Sequence, residues 1–138
     1  MISKNDLAKA LLNQARVIST ANSYLLIPNG ATYEPDPNTT YIQEFMIYGD
    51  DNSIGMADCS SDIQLGIYQI NINTPKSLEG AKWLGLKIAD IFQAGFARGT
   101  QLTYNGQMVR TKNSSIQPMD GDDTHEIHIL SVSYSVIN

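Results

Sequence analysis

A chain of 138 residues with 42% hydrophobic and 17% charged residues has the length of one ordinary domain and is read as a single unit over 1–138, with apolar content for a core and a surface poor in charge. Nine basic residues against fourteen acidic ones give a net charge of −5, and no run of Lys or Arg occurs. That argues against a grip on nucleic-acid phosphates or on anionic lipid, both of which need a clustered basic face.

Along the chain, residues 5–19 predict an amphipathic helix: Leu7, Leu11, Ala15 and Ile18 share one stripe, widened by Ala8 and Leu12, with Asn5 or Ser3 as cap. Leu25-Leu26-Ile27 and the prolines at 28, 35 and 37 predict a loop with one short edge strand. Tyr41 to Tyr48 is rich in aromatic and β-branched residues and predicts a strand, and an acidic connection from Gly49 to about Ser61 follows. Residues 63–73, where Tyr68, Ile70 and Ile72 alternate with Gln69, Asn71 and Asn73, predict its antiparallel partner. Thr74-Pro75 opens a second helix in this reading, carried by Ala81, Leu84, Ile88, Ile91 and Phe92 and closed by a left-handed Gly95. Gly80 and Gly85 inside it suggest close packing against another element. Asn105-Gly106 predicts a tight hairpin between 102–104 and 107–109, because this pair accepts the two positive φ angles of a type I′ turn. After a Gly/Asp-rich loop at 118–124, residues 126–137 predict a closing strand with Leu130, Val132, Tyr134 and Val136 on one face and three serines on the other. The order α-β-β-α-β-β-β predicts an α+β fold: a largely antiparallel sheet with two helices packed on one face, its Ser- and Asn-rich side turned away.

No residue set assembles into a catalytic, cofactor or metal motif. His125 and His128 stand three apart on a predicted strand, so their rings point to opposite sides of the sheet, and two histidines leave zinc short of ligands. They read as edge or surface histidines. Asp50-Asp51-Asn52 with Gly55 lacks the ligands a calcium loop needs at its fifth and twelfth places, Ile54 and Ser61. Cys59, the single cysteine, excludes an intrachain disulfide, fits a reducing compartment, and lies among Asp58 and Asp62, whose charge disfavours a thiolate. The first twenty residues lack a signal peptide's apolar core, and no apolar run approaches the roughly 20 residues that span a bilayer. The expectation is a soluble protein made in the cytoplasm.

The run Gly66-Ile67-Tyr68-Gln69-Ile70-Asn71-Ile72, the proline after it, the helix ending Ile88-Ala89-Asp90-Ile91-Phe92, and Arg98-Gly99-Thr100-Gln101-Leu102 before a glycine turn belong together. With Tyr33-x-Pro35, Tyr41-Ile42 and the alternating strand from Ile127 to Val136, they resemble a bacteriophage-related family of small tail-completion proteins, similar to the lambda-type tail terminator (minor tail protein U). The resemblance implies a structural protein without enzymatic activity or cofactor. It implies a homo-oligomeric ring, a hexamer, that caps the tail tube, meets the tail tube protein and the head–tail connector protein, and ends in the virion. Closed rings form where one patch meets a different patch on the neighbour. The exposed loops then hold the candidate assembly contacts, Asp50, Asp51, Asp58 and Arg98. Another neck or tail component, such as a head-closure or tail-tube protein, and a small-ligand or enzymatic domain are the alternatives.

Overall fold

The computed structural model describes residues 4–34, 36–53, 62–119, 121 and 124–137. Helix α1 (Lys4–Asn22) lays Leu7, Leu11, Ala15 and Ile18 inward, the stripe its periodicity predicts. It ends at Ser23, which adopts a left-handed φ of 59° and lets the Tyr24 N–H close on the Ser19 carbonyl at 2.8 Å. Strand β1 (Leu26–Ile27) runs parallel to β2 (Tyr41–Ser53), and β2 forms the expected antiparallel pair with β3 (Asp62–Pro75). Helix α2 (Ala81–Gly95) crosses back, and β4 (Gln101–Tyr104), β5 (Gln107–Met119) and β6 (His125–Ile137) complete one sheet in the order β1-β2-β3-β6-β5-β4.

Both helices cover the same face. Leu7, Leu11, Ile18, Ile88, Phe92 and Phe96 pack on Ile42, Tyr68, Ile70, Ile72, Leu130, Val132 and Val136, so the even-numbered residues of β2, β3 and β6 form the core side. The Tyr68 ring meets Phe96 at 5.4 Å between centroids, and Tyr24 stacks on Phe92 at 6.0 Å. The turn between β4 and β5 forms as predicted, with φ of 54° at Asn105 and 80° at Gly106.

Four expectations are corrected. Thr74-Pro75 does not open α2: both residues end β3, where Pro75 pairs with His125 and the buried Thr74 hydroxyl donates to the Ala81 carbonyl at 3.0 Å. Two turns intervene, and Gly80, at a φ of 75°, precedes the helix without any side-chain cap. Gly95 is not left-handed; Phe96 takes the closing position at φ −115°. Gly95 instead admits α1, since a Cβ there would stand 2.3 Å from Ile18 Cδ1, and its carbonyl accepts from Gln14 Nε2 at 2.8 Å. The third strand of the C-terminal half is far longer than 107–109. It continues through a bulge between Thr111 and Ser114 to Met119, pairing with β6 throughout its outer half. Finally, His125 and His128 are not surface residues; they are 0% and 1% exposed.

The acidic connection expected at 49–61 is partly strand: 49–53 belong to β2, while the remainder, with Asp58 and Cys59, lies outside the described residues.

Candidate interaction surface

The odd-numbered residues of β2, β3 and β6 face away from both helices, and among the described residues no element covers them. Register pairs Ile47 with Ile67 and Ser133, Phe45 with Gln69 and Ser131, and Gln43 with Asn71 and Ile129. Phe45 remains 38% exposed, Ile47 49%, Leu65 43% and Ile67 38%, so four neighbouring large apolar side chains stand half in water beside a strip of serines. Singly such residues are ordinary; grouped on adjacent strands they mark a surface that something covers. Beyond its pairing with the two residues of β1, the outer edge of β2 also has no strand beside it among the described residues.

At the opposite side of the sheet, a recess of about 440 Å³ opens between the α2–β4 loop and the start of β5. Arg98, Arg110 and Lys112 line it together with Ser135, and no carboxylate is among its lining residues. The loop is firmly held. Gly99 N–H donates to the Thr111 carbonyl at 2.9 Å, Thr111 N–H to the Thr100 carbonyl at 3.0 Å, and the Thr111 hydroxyl to the Ala97 carbonyl at 2.6 Å. Arg98 Nη1 donates to Asn113 Oδ1 at 3.2 Å, a residue in the β5 bulge, and the same bulge carries Lys112. A third of the chain's nine basic residues thus converge on one pre-formed hollow.

Of the residues singled out by sequence, Arg98 stands exposed at this recess, Asp50 and Asp51 lie near the far end of β2, and Asp58 is outside the described residues. Within one chain the structure does not bring Arg98 and the two aspartates together, because β3, β6 and β5 separate them. Sequence reading missed Arg110 and Lys112. They lie three and five residues past a tight turn, but only the extension of β5 and its bulge put them beside Arg98.

The buried polar groups serve the fold. Glu44 is 4% exposed; its Oε1 accepts from the Asn29 N–H at 2.9 Å and its Oε2 from the Tyr68 hydroxyl. Burial, and then the adjacent Glu44 charge and hydrogen bond, push the Tyr68 phenol well above its ordinary range, against a smaller opposing pull from Arg16. Tyr68 is therefore a fixed donor. The period-2 pattern that places Ile42 inward also places Glu44 inward, a signal of a buried carboxylate that sequence reading passed over. His125 bridges the Thr39 carbonyl at 2.9 Å and the Thr124 hydroxyl at 2.8 Å, with Tyr41 edge-on at 5.0 Å, and so fastens the 28–40 segment to β6. His128 lies on the other side of the sheet beneath Gly85, where a Cβ would stand 2.3 Å from its Nδ1. Among the described residues no group of three or more His, Cys, Asp and Glu side chains is arranged to hold a metal, and no helix is long and apolar enough to cross a membrane.

Geometry and surface define the class: an α+β protein whose helices cover one side of a six-stranded sheet and whose other side is open. No protein-family model and no curated protein matches the chain. Among solved structures 13 chains match. One of them, whose name describes neither activity nor partner, is 18% identical and superposes with a TM-score of 0.70 over 99% of this chain and 96% of its own. That likeness shows a shared fold across essentially the whole chain.

Proposed function

We propose that this chain is a bacteriophage or prophage structural protein of the tail-completion kind, a tail terminator whose copies close into a hexameric ring. The ring caps the tail tube, joins it to the head connector and is retained in the virion. The observation that carries the reading is the open sheet face, where Phe45, Ile47, Leu65 and Ile67 remain 38–49% exposed on adjoining strands. Such a face favours permanent cover by another protein surface. The resemblance of Gly66–Ile72, Ile88–Phe92 and Arg98–Leu102 to tail-completion proteins supplies the kind of assembly. A net charge of −5 suits a ring through which DNA passes without adhering. In this reading the protein positions partners and performs no chemistry.

Light scattering on the purified full chain, across a wide range of concentration and salt, tests the proposal. The expected outcome is a single closed oligomer of hexamer mass at high concentration or on addition of tail tube protein. A monomer under every condition, indifferent to tube protein, would overturn it.

A further inference from the structure

Two patches of opposite charge lie at one level of the sheet and on opposite sides of it. Asp51 pairs with Gln64, Gln64 with Val136, Val136 with Val109 and Val109 with Leu102, a continuous row across five strands. Arg110 is the next residue along β5 from that row, with Lys112 and Arg98 around the same recess. At the β2 end stand Asp50 and Asp51, and Asp62 begins β3; from 49 to 62 the chain has four aspartates and no Lys or Arg. Three strand spacings, about 14 Å, separate β2 from β5, so in the plane of the sheet the acidic end does not reach its own recess.

We propose that the Arg98–Arg110–Lys112 recess receives the acidic β2–β3 end of a neighbouring copy of this chain. The inference rests on the ring reading and gives it a contact. The two patches are different surfaces, so the interface is heterologous, the kind that builds rings or filaments. Which of the two forms depends on displacement along the rotation axis. Because the patches share a level along the strands, an axis roughly parallel to the strands joins them without translation, and the assembly closes. The recess is built to receive a partner, because its loop is pinned by the Thr111 hydrogen bonds and its charges are placed before the partner arrives. Exposed ion pairs add little affinity by themselves. They select the partner and set its register, while the open apolar face beside them supplies burial.

Two charge-reversed proteins test this. In Arg110→Glu/Lys112→Glu both patches become acidic; in Asp50→Lys/Asp51→Lys both become basic. Each alone is expected to self-associate about tenfold or more weakly than wild type, because like charges then meet. Mixed in equal amounts, the two are expected to regain assembly as alternating rings, which an intrachain contact cannot reproduce. Circular dichroism confirms each variant's fold. The milder Arg110→Gln/Lys112→Gln pair should weaken assembly and flatten its decline between about 0.05 and about 0.5 M salt. Reversed variants that assemble like wild type, or folded variants that fail alone and remain apart when mixed, overturn the contact while leaving the ring standing. A wild-type chain that never self-associates removes the ring and this contact together.

Discussion

At the scale of single residues, His128 is the group most exposed to consequence. It is 1% solvent-accessible and among the described residues neither ring nitrogen has a hydrogen-bond partner. Burial holds its pKa below the ordinary value of 6.5; Glu126 pulls it upward and Lys82 adds a smaller downward push. In the unfolded chain the imidazole takes up its proton near that ordinary value, whereas the native state resists it to lower pH. Between the two pKa values the unfolded state binds more protons, so stability is full above the unfolded pKa and is lost as pH falls through it toward the native one. Urea unfolding from about pH 8 to about pH 5 should record this decline, and His128→Leu should flatten it. An unaltered slope in that variant would assign the proton uptake to other groups. The glycine above the ring offers a second test. Gly85→Ala gains roughly 1 kcal/mol in helix propensity, but its Cβ would lie 2.3 Å from His128 Nδ1. Crowding of that kind costs about 1–3 kcal/mol, so the single variant should be less stable than wild type. In a His128→Ala background the clash is gone, and the same substitution should stabilise. A double-mutant cycle in urea reads the change of sign; equal effects in both backgrounds would refute the contact.

At the scale of elements, β2 and β3 are joined to the 28–40 segment through one buried carboxylate. Tyr68→Phe leaves Glu44 Oε2 without its donor in the core. The expected loss is about 1–3 kcal/mol, the cost of an orphaned buried acceptor. Thermal unfolding checks it, and a loss within error would mean that water reaches Glu44. The elements themselves were legible wherever periodicity met burial on one side. The α1 stripe, the alternation of 68–72 and of 130–136, and the Asn105-Gly106 turn all appear where the pattern put them. Residues 110–119 gave no such pattern, because a strand at the side of the sheet with polar residues on both faces carries little apolar signal. Pro118 even argues against a strand, yet past Arg110 β5 pairs with β6 alone, and a missing N–H on its other side costs nothing. Thr74-Pro75 misled for a related reason. The pair is equally at home at a helix start and at a strand end, and the ladder to His125, remote in sequence, decides between them.

At the scale of the whole molecule, the candidate site was half legible. Arg98 and the acidic end of β2 could be picked out as charge outside the core pattern, but the open face could not, since which side of a sheet the helices cover is a tertiary fact. Alternation revealed the serines of β6 as the outer side; it did not reveal that Phe45, Ile47, Leu65 and Ile67 share that side. Those residues carry the last prediction. Ile47 and Ile67 are direct cross-strand partners, 49% and 38% exposed, on the face away from the core. Replacing both by Asp removes no core contact, and exposed substitutions usually change stability by about 0.5 kcal/mol or less each. Two like charges directly opposite one another add a modest cross-strand penalty of about 0.2–1 kcal/mol. The monomer should therefore fold normally by circular dichroism, with a slightly lower unfolding midpoint. Assembly should fail far more severely, because a covered interface would have to bury two unpaired carboxylates. Sedimentation velocity separates the two effects: a folded Ile47→Asp/Ile67→Asp protein that remains monomeric at concentrations where wild type is a ring places the interface on this face. If the folded variant forms rings as readily as wild type, the open side of the sheet is not where copies meet, and the apolar strip must serve a different partner.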